Sequence, residues 1–366
     1  MTERELAEYN VGENLDQLMN LDPRGYGVCR VLYPASRNYA GGPVAMHAAK
    51  KLYELLDGKT PDTIVYVMTG FILRPHLHPE TDGITGALLF VRALICAFAI
   101  TPVIVIPEKN KPAVLNCAPL LGLHVYDDIE TARRLPLSFA YTVVSVDQAE
   151  ADGQINRLLA GVKPAAVFST ETAGANINGE YHNSVGVNMT DIEAKQDNLF
   201  TGLQKLGVPS FAVGDLGNEI GMGTIESHIR QFIPYTGGNG TFAGCRCGCN
   251  TGITASTKAD FLVTATVSDW GVYAVIAALA YILKNISIMH DAETEELILR
   301  ECCRSGMVDM TGSLLPAIDG FDVGIEKQIV ALMRSTVEYA LNYSSETWFK
   351  AVLEKGFYEP AVFRNY

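Results

Sequence analysis

The chain is short of positive charge. Its 28 Lys and Arg stand against 41 Asp and Glu, a formal charge of −13, and the basic residues never form a run. A nucleic acid or an acidic membrane surface as partner would call for such a run, so neither is expected. Charged residues make up only 19% against 48% hydrophobic, which excludes a disordered chain and favours a globular one. Clean membrane-spanning runs are missing too. Gly86 to Ile106 is broken by Arg92 and Pro102, and Trp270 to Leu283 is about three-quarters of the length a spanning helix needs. Both read as buried helices. The opening MTERELAEYN is charged and polar, unlike a secretory signal, so a cytoplasmic chain with reduced thiols is expected.

Familiar catalytic signatures are also lacking. There is no G-x-x-x-x-G-K-[ST] phosphate loop, no G-x-S-x-G elbow and no H-E-x-x-H pair, which weighs against ATP hydrolysis, serine hydrolysis and zinc proteolysis. Of eight cysteines, three lie in Cys245-Arg-Cys-Gly-Cys249. That spacing is not the C-x-x-C pair of structural zinc sites, and inert thiols in a turn are expected there. Cys302-Cys303 reads the same way.

What is present is a rhythm of short apolar runs and helical periods. Runs at Thr63–Met68, Val103–Ile106, Leu123–Tyr126, Phe139–Val146, Ala165–Ser169, Ser210–Val213 and Asp260–Val267 predict strands buried on both faces. Helices are predicted at Pro43–Leu56, Gly83–Ala99, Ala113–Leu121, Ala149–Leu159, Asp197–Leu206 and Asp269–Lys284. The alternation implies a three-layer α/β fold, a largely parallel or mixed sheet with helices on both faces. One α/β domain over residues 1–366 is expected. Residues 1–60 form a helical lead-in, 61–285 the sheet core, and 286–366 a helical tail packed on that core. The lead-in reads as a short helix around Leu15–Met19 and then a loop from Arg24 to Gly42, carrying Arg24, Arg30 and Arg37. A second loop is expected over Ile72–Asp82. Tail helices are predicted at Ala292–Ser305, Gly324–Asn342 and Thr347–Glu354. The polar stretch Thr170–Asp197 lacks either period, and a loop of that length inside a compact fold is usually functional.

Polar residues gather where strands end. After Ser210–Val213 come Gly214, Asp215, Gly217, Asn218 and Glu219, with Asn218 the expected N-cap of a helix over Glu219–Arg230. After Thr63–Met68 come His76, His78, Glu80, Thr81, Asp82 and Gly83, where Thr81 or Asp82 is expected to cap the next helix and Glu80 is left over. After Ala165–Ser169 comes Glu171–Asn183, rich in side-chain donors. Ser268 and Asp269 open a helix after a fourth strand, and Asp309 lies in a glycine-rich turn beyond Gly306. Ligands in open α/β folds bind at such strand ends.

Together, Thr69-Gly-Phe71, Glu80-Thr-Asp-Gly83, Gly179-Glu-Tyr-His-Asn183, Gly214-Asp-Leu-Gly-Asn-Glu-Ile-Gly-Met-Gly223 and Val267-Ser-Asp-Trp-Gly271 resemble the C-terminal, D-glutamate cyclase-like domain of D-glutamate cyclases. They occur in that family's order over residues 60–320. The resemblance implies dehydration of D-glutamate, or a related acidic amino acid, to 5-oxo-D-proline. Leu216 stands where a second glycine is expected, Ile84-Thr85 replaces a proline pair, and Thr172-Ala173 replaces an Arg-Pro after Glu171. An arginine is the natural carboxylate clamp, so the exact substrate stays open.

On that reading Asp215, Glu219 and Glu80 are the candidate catalytic residues. Thr81, Gly83, Asn183, Asn218 and Gly217 are the candidate substrate contacts, with helix N-termini near Thr81–Gly83 and at Asn218 holding a substrate carboxylate. The acids would repel both one another and a dicarboxylate, since two unit charges 4 Å apart cost about 4 kcal/mol at an effective dielectric of 20. A divalent cation, Mg²⁺ or Mn²⁺, on Glu80, Asp82, Asp215 and Asp309 is therefore expected. A metal-dependent phosphohydrolase and a non-catalytic small-molecule sensor are the alternatives. The partner is a small-molecule substrate, and a homo-oligomer is the commonest assembly for such a chain.

Overall fold

In the computed structural model, which describes residues 3–233, 248–249, 251–343 and 354, the apolar runs become one seven-stranded sheet. Its strands are β1 Ile64–Gly70, β2 Thr101–Ile106, β3 His124–Tyr126, β4 Ser138–Val143, β5 Ala166–Thr172, β6 Ser210–Gly214 and β7 Phe261–Thr264. They lie in the order β3-β4-β2-β1-β5-β6-β7. Every pairing is parallel, so the sheet is parallel throughout and not mixed. Parallel strands need covered faces, and that is why these runs carry no polar alternation.

The helices are α1 Glu3–Met19, α2 Val28–Ala40, α3 Val44–Leu56, α4 Ile84–Phe98, α5 Lys111–Leu120, α6 Ile129–Arg134, α7 Gln148–Ala160, α8 Asp197–Lys205, α9 Glu226–Phe232, α10 Ser268–Leu283, α11 Ala292–Arg304 and α12 Val323–Tyr343. Successive β1 side chains take opposite faces, as strand geometry requires. Val65 and Val67 join a cluster with α1, α3, α4, α5, α10, α11 and α12. Ile64, Tyr66 and Met68 join a second with α2, α6, α7, α8 and α9. Phe90 of α4 packs on Phe168 of β5 at 4.2 Å between ring centroids, and Phe211 and Phe261 continue the row. Truncating a buried Phe such as Phe168 to Ala costs about 3–5 kcal/mol. Helix α10 is apolar nearly all round because α3, α4, α1 and α12 enclose it.

Several local expectations are corrected. Arg24–Gly42 is not all loop, because α2 occupies most of it. The helix's two arginines, Arg30 and Arg37, and its internal Pro34 obscure a buried stripe at Cys29, Leu32 and Ser36. Helix α1 is 17 residues long rather than a short segment around Leu15. The stretch expected as a loop from Ile72 to Asp82 carries a small hairpin, Ile72–Leu73 against His78–Pro79. No helix starts at Glu219: a 3-10 turn at Gly223–Ile225 precedes α9 at Glu226. Cys245, Cys247 and most of Thr347–Glu354 lie outside the described residues.

The sheet positions the site through its connections. The chain leaves β1 into α4 on one face, and leaves β5 into α8 on the other. Strands β1 and β5 are neighbours, so a crevice opens between their C-terminal ends. This is the topological switch point at which open α/β sheets bind ligands.

Candidate active site

Strand β6 delivers Asp215 to this crevice. The turn after it is held by Glu219. Its Oε1 accepts from the backbone N–H of Asp215 at 3.1 Å and Leu216 at 2.8 Å, and its Oε2 accepts from Gly217 at 2.6 Å. Gly217 and Gly221 have φ of +131° and +97°, where a side chain would be strained. A Cβ on Gly221 would also meet the Ala212 Cβ at 2.2 Å. Leu216 is not among the positive-φ residues, so a glycine is not required there.

Asp82 comes from the loop after β1. It caps no helix of its own. Its carboxylate accepts from the amides of Ser268 at 3.1 Å and Asp269 at 2.9 Å, at the start of α10. Asp269 in turn accepts from Gly83 and Gly86, both at 2.9 Å, at the start of α4. The two helix N-termini are thus capped by each other's acids, which fits the positive end of each helix. Gly83 has φ +83°, and a Cβ there would sit 2.5 Å from the Glu171 Cβ. Its glycine serves close packing.

Glu171 reaches the site through a β-bulge. Met68 pairs with Ser169 but Gly70 with Thr172, so β5 carries one extra residue. Glu171 takes φ +40° at that point. Bulges re-aim side chains beside active sites, and here Glu171 Oε2 accepts from the Ser268 hydroxyl at 2.7 Å. One oxygen each from Asp82, Glu171 and Asp215 lies within 4.8 Å of the others.

Glu171 and Asp215 border a cavity of about 840 Å³ whose walls also include Glu80, Asn218, Asn183, Arg24, Arg74 and Asp319. The size falls within the range of small-molecule sites, roughly 300–1,000 Å³. Arg24 arrives from ahead of α2. It donates to the Asp319 carboxylate at 2.9 Å and to the Thr266 carbonyl at 3.1 Å, and its guanidinium lies over the rings of Tyr26 and Phe321. Removal from water raises Glu80 well above the carboxylate range, helped by Asp319 and Asp82. Burial, then Glu219, Asp82 and Glu80 raise Glu171. Burial, then Glu171 and Asp319 raise Asp215. Asp82 is pushed up to about 7, by burial first.

Of the residues singled out in the sequence, His76, Glu80, Glu171, Asp215, Asn183 and Asn218 line the cavity. Asn183 accepts from Val185 and Val187 amides, and Asn218 donates to the His182 carbonyl instead of capping a helix. Thr81, Asp82, Gly83 and Gly217 do not line it, Asp82 lying beside the lining acids Glu171 and Asp215. The Thr81 hydroxyl donates to Ala317 O at 2.7 Å, and the Gly83 and Gly217 amides are engaged by Asp82, Asp269 and Glu219. The helix N-terminus expected to hold a substrate carboxylate at Thr81–Gly83 therefore already holds Asp269. Glu219, expected as an acid or base, has its carboxylate on three backbone amides. Asp309 adds negative charge near Glu80, but its Oδ1 accepts from Thr311 and Ser313 of its own loop. Thr311 and Met310 form the wall there.

Glu171 opens a cluster singled out at a strand end but was given no role in the site. Arg24 and Asp319 were missed as a pair, because their pairing spans 295 residues.

A parallel α/β chain with an acid-lined cavity at its switch point is the class so defined. The sequence profile described as D-glutamate cyclase-like, C-terminal, matches residues 15–334, and the chain belongs to that family. It is also 30% identical over 239 residues to the human (Homo sapiens) protein named D-glutamate cyclase, mitochondrial. The match covers 61% of this chain and 33% of that relative, so the chain spans about a third of the curated relative's length. Among the described residues no helix is long and apolar enough to cross a membrane.

The donor set suits a hard divalent cation. Its ligands are all oxygens, as Mg²⁺ and Mn²⁺ prefer. The cavity wall carries carboxylates from Asp22, Glu80, Glu171, Asp215 and Asp319 against the guanidinium groups of Arg24 and Arg74, an excess of negative charge that a cation would relieve.

Proposed function

We propose that the chain is a lyase of the D-glutamate cyclase type, converting D-glutamate or a close acidic amino acid to its 5-oxoproline lactam. The observation that carries this reading is the convergence of Asp82, Glu171 and Asp215 within 4.8 Å, with Glu171 and Asp215 on the wall of a cavity that also holds Arg24. Those three carboxylates would hold Mg²⁺ or Mn²⁺, which when bound supplies Lewis acidity and offsets the site's negative charge.

In the reaction a bond forms between the amine nitrogen and the side-chain carboxyl carbon, and one C–O bond of that carboxyl breaks. Two of the three ammonium protons leave with the departing oxygen as water. Both reacting groups belong to one molecule, so the protein's task is orientation and proton transfer. Glu80 lines the cavity and its proton affinity is raised by burial and neighbouring acids. It is suited to take a proton from the ammonium and return it to the leaving oxygen. Arg24 and Arg74 supply the positive charge that would bind the carboxylate that does not react. Glu219 acts as a positioning residue, fixing the turn that presents Asp215.

The test is mass spectrometry of purified protein incubated with D- and L-glutamate, D- and L-aspartate, and Mn²⁺ or Mg²⁺. Loss of one water from D-glutamate, faster than in enzyme-free controls, is expected. An unchanged panel in the presence of either metal would rule the activity out.

A further inference from the structure

A second convergence lies behind the cavity wall. Glu180, His182 and Cys249 each offer one ligand atom, and all three atoms lie within 4.8 Å of one another. His182 Nε2 stands 3.8 Å from Cys249 Sγ and 3.9 Å from Glu180 Oε2. The sulfur and the carboxylate therefore face the same ring nitrogen. A nucleophilic relay would place the acid on the opposite nitrogen from the thiol, so that the histidine passes a proton along a line. Convergence on one point is instead the geometry of ligands around a metal. Zinc bonds of about 2.3 Å to sulfur and about 2.0–2.1 Å to nitrogen and oxygen, at tetrahedral angles, put ligand atoms roughly 3.3–3.6 Å apart. The two spacings from His182 need only a few tenths of an ångström of closure, and the sulfur and carboxylate lie within 4.8 Å of each other.

The surroundings support the deprotonated ligands. Asn176 Nδ2 lies 3.5 Å from the Cys249 sulfur, and the Thr251 hydroxyl lies 3.4 Å from it. Asn188 Nδ2 donates to Glu180 Oε2 at 3.1 Å. Such outer partners orient ligands and favour their charged forms. Asn176 is itself buried, at 2% exposure, and also donates to the Thr251 hydroxyl at 2.8 Å and the Gly252 carbonyl at 2.9 Å. It joins the loop before α8 to the segment around Cys249. We propose that Glu180, His182 and Cys249 form a zinc site that staples these two segments together. A mixed sulfur, imidazole and carboxylate set selects a borderline ion such as Zn²⁺ over Mg²⁺ or Mn²⁺. Glu180, His182 and Cys249 do not line the described cavity, whereas Asn183, Ser184, Val185 and Met189 of the same loop do. The ion's role is thus to hold a wall of the cavity. Binding releases the Cys249 thiol proton to solvent and leaves the sulfur as thiolate.

The test uses the whole chain, stripped with chelator and titrated with Co²⁺ and then Zn²⁺. Co²⁺ should give near-ultraviolet sulfur-to-metal charge-transfer absorption and the visible bands of a tetrahedral ion, at one equivalent, and Zn²⁺ should abolish them. Cys249→Ser should remove the charge-transfer band. Glu180→Gln, at a part-exposed position less prone to unfold the chain, should weaken Zn²⁺ binding roughly tenfold or more. Asp215→Asn should leave the band intact, which separates this site from the oxygen-only site and from the cyclase reading. No charge-transfer band in the wild type, or a band that persists unchanged in Cys249→Ser, overturns the proposal.

Discussion

Asp82 and Asp269 cap each other's helices. Asp82 accepts from the first amides of α10 while Asp269 accepts from Gly83 and Gly86 at the head of α4. The exchange ties the two helices together at their N-termini and leaves Asp82 beside Glu171 and Asp215. Asp269→Ala leaves the buried Gly86 amide without its acceptor, while the Gly83 amide keeps Asp82. At about 1–3 kcal/mol for a buried unsatisfied group, a loss of that size is expected in denaturant unfolding, with Asp269→Asn losing less.

The same cap predicts a reversed sign at Gly86. Ala in a helix interior ordinarily gains about 1 kcal/mol over Gly. Here a Cβ would lie 2.3 Å from Asp269 Oδ1, displacing the cap. Gly86→Ala should therefore destabilise by at least about 1 kcal/mol. A stabilised variant would show that the contact between α4 and Asp269 is looser than described.

How much of this was legible in the sequence follows from range. The seven strands are apolar runs set by local composition, and each was readable where it stands. The strand-end placement of Glu80, Asp215 and Glu171 was readable for the same reason. Partners were not. That Asp82 caps α10 rather than α4 depends on contacts across 186 residues, and Thr81, Asp82 and Asn218 all look like local caps in sequence. Glu219 was misplaced on a helix because glycines at 217, 221 and 223 were weighed less than its helix-forming neighbours. Arg24, which lines the cavity from the N-terminal part of the chain, would have to supply the arginine that Thr172 does not.

Glu219→Gln separates positioning from proton transfer. The amide replaces one carboxylate oxygen with a donor that faces backbone N–H groups. Stability should fall by roughly 1–3 kcal/mol. Turnover should fall while the pH profile of kcat keeps its shape. A shifted profile would instead make Glu219 a proton-transfer group.

Asp16, which does not line the cavity, gives a pH-dependent stability. It accepts from the Val44 and Ala45 amides and the Tyr33 hydroxyl, yet burial pushes it from 3.8 up to about 7. A carboxylate raised on folding contributes stability that is present below about 4 and is lost as pH rises through 7. The displacement corresponds to roughly 4 kcal/mol. Between pH 5 and 8 the unfolding free energy should fall, and Asp16→Asn should flatten that slope. An unaltered slope would remove Asp16 from the account.

The most direct measurement is calorimetric titration of chelator-stripped protein with Mn²⁺, in the wild type and in Asp215→Asn and Glu171→Gln. The account predicts a wild-type binding event that weakens by at least about tenfold in each variant while both keep the wild-type fold by circular dichroism. Equal binding in all three proteins, or none in the wild type at millimolar Mn²⁺, would contradict it.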